Sequence, residues 1–307
     1  MRLGGRRSSS NIERQTGGGR RGGFRMPGGG RRGGGLPIPI PASGRGQMGC
    51  GTIVIMIIIF LAMSYFGGGL GNLGLSGGGG GGPMSGGEVT RGEQAIQDET
   101  DRFVAQVLGS TEDRWTEIFA ESGQRYQPAT LVFYDNRGSS GCGAADSAMG
   151  PFYCPADQKI YLDTDFFTQL RTDLGAGGDF AQAYVIAHEV GHHIQTITGI
   201  SNRVRSQQQR ASAAEGNQLQ VRMELQADCY AGVWANRERD AMEPGDMEEG
   251  MRAANAIGDD TLQRAAQGYV VPESFTHGTS EQRQRWLRRG IESGNPDVCD
   301  TFSARRL

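Results

Sequence analysis

From residue 88 onward, apolar side chains recur mostly at helical spacing. Ala95, Ile96, Phe103, Val104 and Val107 form a stripe that predicts a helix over residues 94–108. Ser110, Thr111, Glu112 and Asp113 have the composition of a helix start and predict a second helix to about residue 120. Two runs break the helical period. Leu131, Val132, Phe133 and Tyr134 are apolar and rich in β-formers, and Ile160, Tyr161 and Leu162 alternate after Lys159, so both runs predict strands. Helices are predicted again over residues 165–170, 179–198, 203–214, 217–236, 247–256, 261–267 and 280–291, with Asp179 capping the second of these and Thr279 or Ser280 the last. Few strands among many helices predict an α+β fold, a small antiparallel sheet beside a helical core.

Ahead of residue 88 the pattern changes. Of the 51 glycines, 30 lie within residues 1–87, too many for a packed domain. Residues 1–47 hold ten arginines and one acid, Glu13, and are otherwise mostly Gly, Ser and Pro. Such a segment has too little apolar surface to offset chain entropy and is predicted to be disordered. Residues 52–66 read TIVIMIIIFLAMSYF, and the uncharged stretch 48–70 around them is long enough for a bilayer core of about 30 Å. No small-residue cleavage site follows cleanly, and Cys50 precedes the apolar run, the wrong order for a lipoprotein cysteine. The arginines ahead of the run predict a transmembrane signal anchor with a cytoplasmic N-terminus. Residues 71–87 then form a Gly-rich linker, and residues 88–307 a single folded domain in the periplasm or at the cell surface. From residue 48 on there are 33 acids and 21 bases, a net charge of −12, which argues against nucleic acid as a partner.

The chemistry is concentrated in Ala187-His188-Glu189-Val190-Gly191-His192-His193. Residues four apart share a helix face, so His188 and His192 can grip one metal ion. Glu189 lies about 100° round the helix, beside such a metal rather than on it. There it can act as general base towards a zinc-activated water and then as acid towards the leaving amine. A catalytic zinc needs a third protein ligand, and Glu224 in the 217–236 helix is the candidate. Asp228 follows one turn later and can accept the second ring N–H of a zinc-bound histidine. His193 sits about 100° from His192 and is expected to pack rather than ligate.

His-Glu-x-x-His followed by Glu-x-x-Ala-Asp resembles the gluzincins. The strings AYVIAHEVGHHIQTITGI, ELQADCYAGVWA and FTHGTSEQRQRW are similar to one group, the bacterial putative neutral zinc metallopeptidases, which are membrane-anchored. The likeness covers about residues 88–303; ahead of them it is one of character only. It implies a zincin-like fold and a zinc-dependent peptidase with one Zn²⁺ per chain, and carries no substrate with it. In peptidases with this motif a strand just upstream commonly edges the cleft. Residues 159–162 could serve so, by strand addition, or be an interior strand. Some gluzincins also place a histidine late in the chain with an arginine soon after. His277 and Arg283 are thereby candidate catalytic residues, His277 as a donor to the carbonyl oxygen that gains charge.

Cys142, Cys154, Cys229 and Cys299 form an even set that suits two disulfides in an oxidising compartment. Cys142–Cys154 and Cys229–Cys299 are the favoured pairings, although sequence does not determine connectivity and free thiols remain open. The reading that follows is a membrane-anchored zinc metalloendopeptidase acting on a protein or peptide, with its bilayer as second partner and its oligomeric state open. Its rivals are a catalytically silent zinc-binding interaction protein and a metal-dependent hydrolase of a non-protein amide.

Overall fold

In a computed structural model, which describes residues 1–16 and 88–307, the apolar stripes resolve into helices packed on a twisted sheet. The strands are β1 (Ile12–Gln15), β2 (Val89–Arg91), β3 (Thr130–Tyr134), β4 (Arg137–Ser140), β5 (Gly143–Asp146), β6 (Phe152–Cys154) and β7 (Lys159–Leu162). The helices are α1 (Glu99–Glu121), α2 (Asp165–Thr172), α3 (Asp179–Ile197), α4 (Ile200–Gln208), α5 (Ala213–Arg237), α6 (Asp246–Ala256), α7 (Asp259–Gln267) and α8 (Ser280–Ser293). The helix-rich α+β expectation holds. Asp179 is the first residue of α3 rather than its cap, which is Gly178. Thr279 caps α8 by accepting from the Gln282 N–H, with the Gln282 side chain reciprocating.

The sheet is mixed, where an antiparallel one was expected. Its order is β2-β1-β3-β7-β6, with β1 parallel to β3 and β3 parallel to β7. The β3–β7 pairing is itself parallel, and β1, which lies in the arm that composition marks as disordered, adds a second parallel pair. Leu3 and Ile12 each keep only 1% of their surface exposed, so the few apolar residues of residues 1–16 go straight into the core. The arginines there are paired as well. Arg14 is buried against Asp101 and sits over the Phe133 ring, Arg7 binds Glu112 and Asp113, and Arg6 binds Glu238. Residues 17–47 of the same expectation lie outside the described residues.

The single-pass topology is corrected. Among the described residues no helix is long and apolar enough to cross a membrane. The stretch 48–70, with Cys50 and the linker 71–87, lies outside them. The sheet supplies a physical objection too. β1 pairs with β2 and β3, and the Thr16 N–H donates to the Glu88 carbonyl at 3.1 Å. Residues 1–16 and 88–307 are therefore one body. A cytoplasmic N-terminus and an extracytoplasmic domain would pull that body apart, and nothing among the described residues supports the bilayer as a partner.

The two helices predicted over 94–108 and 110–120 are largely one, α1, preceded by a short 3-10 turn. Gly109 does not break it. A Cβ there would lie 2.6 Å from the Arg7 carbonyl, so the glycine lets the N-terminal segment approach. Ser110, which looked like a cap, instead accepts a hydrogen bond from Trp234 Nε1 at 2.9 Å. α3 and α5 meet with the same economy. A Cβ on Gly191 would stand 2.9 Å from the Ala227 Cα, so only glycine lets the motif helix sit this close to α5. Both expected disulfides are present, Cys142–Cys154 tying β6 to the β4–β5 hairpin and Cys229–Cys299 tying α5 to the C-terminal turn. β7 is flanked by β3 and β6, so it is the interior strand of the two alternatives.

Two stability outcomes follow from this packing. Ile12→Ala should cost about 2–5 kcal/mol of unfolding free energy, the usual effect of emptying a core position. Denaturant unfolding of the whole chain measures it, and a loss below about 0.5 kcal/mol would mean that β1 is not part of the fold. Gly191→Ala should cost about 1–3 kcal/mol, the range for overpacking.

Candidate metal centre

α3 carries His188, Glu189 and His192, and α5 carries Glu224 and Asp228. The one-turn spacing sets the two imidazoles edge to face with centroids 4.7 Å apart. The Glu224 Oε2 lies 3.2 Å from His188 Nε2 and 3.4 Å from His192 Nε2. One ligand atom from each of the three lies within 4.8 Å of the others, a spacing that one cation can bridge. Two imidazole nitrogens and one carboxylate are the donor set of a catalytic zinc site, with a position left for solvent. His188 and Glu224 are buried while His192 is partly exposed, so the cluster opens on one side. Gln220 Nε2 donates to the other Glu224 oxygen at 2.8 Å.

Behind His188 stands Asp228, fully buried. Its Oδ1 is 2.8 Å from His188 Nδ1 and accepts from Tyr184 Oη at 2.6 Å. Arg283 donates to both carboxylate oxygens, Nε to Oδ2 at 2.9 Å and Nη2 to Oδ1 at 2.8 Å. Burial alone would raise the Asp228 pKa, but Arg283 and His188 outweigh it and hold it at about 2. An ionised Asp228 keeps the His188 proton on Nδ1 and leaves Nε2 facing Glu224. Burial pushes the Glu189 carboxyl above its ordinary range. Glu189 is thus better placed to take up a proton than a solvated glutamate.

His277 is in the loop between α7 and α8, half-buried. Its Nδ1 lies 3.2 Å from Asp259 Oδ1, and Asp259 Oδ2 accepts the N–H groups of Thr276, His277 and Gly278 at 2.6–3.0 Å. A Cβ at Gly278 would stand 3.2 Å from Val221 and 3.4 Å from Leu225, so the loop rests on α5 on either side of Glu224. Burial disfavours charge on the His277 ring, but Asp259 and Glu224 raise its pKa above the ordinary value. Arg283 is spent inside, on Asp228, Tyr184 and the Ile257 carbonyl. His193 faces away from the cluster, with Nε2 on the Gln127 carbonyl at 2.6 Å and Nδ1 3.1 Å from Tyr153 Oη. It joins α3 to β6, and burial lowers its pKa.

Sequence reasoning missed Tyr184, Gln195, Gln220 and Asp259. Tyr184 precedes His188 by one helical turn, and Gln220 precedes Glu224 by one, so both had a signal in the helix period. Gln195 follows His192 by three, which also shares its face. Asp259 had no signal, since its partners are seventeen to nineteen residues away and meet it only through the fold.

A family model described as "Putative neutral zinc metallopeptidase" matches residues 1–302. The match begins at residue 1, so the arm that composition set apart belongs to the family pattern. "Uncharacterized protein YpfJ" of Escherichia coli is 46% identical over 309 residues, covering 98% of this chain and 99% of its own length. "Uncharacterized protein Rv2575" of Mycobacterium tuberculosis is 45% identical over 195 residues, covering 59% of this chain and 65% of its own. No solved structure matches the chain.

The cluster has a consequence for stability in the metal-free protein. Burial works against a charged His188, but Asp228 and Glu224 win and raise its pKa from 6.5 to about 9. A base held more tightly in the fold contributes stability below pH 6.5 that is lost as pH rises through about 9. The melting temperature of chelator-treated protein should therefore fall across that window. Zinc-loaded protein should lack the fall, because the metal takes the place of the proton. A flat profile without metal would mean that His188 is not paired as described.

Proposed function

The chain belongs to the putative neutral zinc metallopeptidase family, and from that premise we propose that it is a zinc-dependent endopeptidase. The observation that supports this reading is the convergence of His188, His192 and Glu224 within 4.8 Å, with Glu189 buried beside them. His188, His192 and Glu224 would hold one zinc ion. When bound, zinc would supply polarisation of a scissile carbonyl and a lowered pKa for the attacking water, which makes it easier to deprotonate.

The remaining steps fall to side chains of this chain. Glu189 takes a proton from the attacking water and gives it to the leaving amine, a role that its raised pKa suits. A structural metal site has no use for that carboxylate, which favours an enzyme over a silent binding protein. His277 donates to the carbonyl oxygen as negative charge builds there. Asp259 is a positioning residue for His277, through the ring and the backbone of its loop. Asp228 positions His188, and Arg283, sequestered behind it, positions Asp228 rather than touching substrate.

Zinc analysis of the whole chain, with cleavage of a peptide library before and after chelation, tests the reading. One zinc per chain and chelator-sensitive cleavage are expected; a metal-loaded protein that cleaves no peptide would sink the peptidase assignment. Glu189→Gln should keep zinc and lose turnover by about 10²–10⁴-fold, the worth of a general base. His277→Ala should keep zinc and fold yet lose about 10²–10³ in kcat, with KM changed less. Unchanged kcat in this variant would return His277 to the scaffold.

A further inference from the structure

His192 is backed differently from His188. No carboxylate meets its second nitrogen; Nδ1 lies 2.9 Å from the side-chain oxygen of Gln195, which is fully buried. The Gln195 amide nitrogen donates to the Met223 carbonyl at 2.7 Å and to Gln226 Oε1 at 3.2 Å. Gln226, buried too, donates from Nε2 to the Cys299 carbonyl at 3.0 Å.

Backbone carbonyls only accept, and this determines the direction of the whole chain. The Cys299 carbonyl requires the Gln226 nitrogen, which turns the Gln226 oxygen towards Gln195. The Met223 carbonyl requires the Gln195 nitrogen. Reversing either amide would press two acceptors together at hydrogen-bond distance in a buried site. The Gln195 oxygen must then face His192, and an acceptor there demands an N–H on Nδ1. The lone pair of a neutral His192 is left on Nε2, the nitrogen that faces Glu224.

We infer that Gln195 and Gln226 are positioning residues, a two-amide relay that holds His192 in the Nδ1–H tautomer with Nε2 open for a metal. The relay deepens the proposed zinc site and, for its part in metal affinity, rests on that reading. It also ties α3 to α5 on both sides of Glu224, since Met223 and Gln226 flank that residue. Its outer anchor is the turn that the Cys229–Cys299 disulfide fastens to α5.

The chain has four histidines, so long-range ¹H–¹⁵N spectra of zinc-free, histidine-labelled protein hold four ring systems, and His192→Asn assigns one of them. At a pH high enough to leave the ring neutral, wild-type His192 should show a protonated Nδ1 and a bare Nε2. An Nε2–H ring overturns the proposal, whether or not the glutamine variants fold. Gln195→Leu should release the tautomer and weaken zinc affinity, read by chelator competition, by about 10–100-fold. Gln226→Leu should weaken it less, because the Met223 carbonyl still orients Gln195. A folded Gln195→Leu protein with wild-type zinc affinity overturns the relay's role. If wild type binds no zinc at all, the metal reading fails, while the tautomer spectrum still decides the relay.

Discussion

Three helices meet on the carboxylate of Asp228. α3 brings Tyr184 and His188 to it, α8 brings Arg283, and α5 carries it between them. A lone carboxylate so deeply buried would be costly, and Arg283 offsets the cost through two hydrogen bonds. A buried ion pair of this kind adds little net stability compared with an apolar core, yet removing one partner costs about 3–5 kcal/mol. Its contribution is geometric. With Asp228 ionised and held from three sides, the His188 ring has one orientation and one tautomer. The capping box at Thr279, the entry of α8 and the glycine contact between α3 and α5 all serve to bring these partners together.

The N-terminal arm shows how charge can mislead when it is counted without a partner. Ten arginines against one acid look like a signal for membrane orientation, and the net −12 of the remainder looks like a separate fact. For the four of these arginines that lie among the described residues they are halves of one interaction. Arg2, Arg6, Arg7 and Arg14 pair with Glu243, Glu238, Glu112, Asp113 and Asp101 across more than eighty residues of sequence. The exposed pairs are worth about 0–1 kcal/mol each. Arg14 differs, since it is buried and stacked on Phe133, and its pairing with Asp101 helps set the register of β1 beside β3. A glycine-rich composition hid two well-buried apolar side chains, Leu3 and Ile12, that commit the segment to the core.

What was legible in the sequence was local. His188, Glu189 and His192 share one helix, as Glu224 and Asp228 share another, and the helix period alone brings His188 onto the side of His192 and Glu224 onto the side of Asp228. Helix positions were read well wherever a stripe ran unbroken, as in α3, α5, α6 and α8. The sheet was legible only at β3 and β7, whose β-branched and aromatic runs are conventional. β4 and β5, built of Gly, Ser and Ala, have no alternation to read. β1 was hidden by composition, and the parallel direction of β3 and β7 is fixed by their connection, which no strand pattern records. In α1, Gly109 and Ser110 look like a helix boundary because their true partners, the Arg7 carbonyl and Trp234, lie over a hundred residues away. Asp259 was invisible for the same reason.

The unequal backing of the two motif histidines has a reason in charge. Asp228 brings a negative charge behind His188, and Arg283 cancels it. A second carboxylate behind His192 would need a second buried cation, and α5 offers the Met223 carbonyl and Gln226 there instead. A neutral amide orients the ring without that demand. Glu224 is then the one ligand of the three that carries charge. A divalent cation among two neutral imidazoles and one carboxylate would keep a net charge of about +1. Burial raises the Glu189 pKa in the metal-free protein, and that positive charge would draw it back down. A second carboxylate behind His192 would weaken that pull on Glu189. The neutral amide behind His192 therefore orients the ring without weakening the attraction that a bound cation would exert on Glu189.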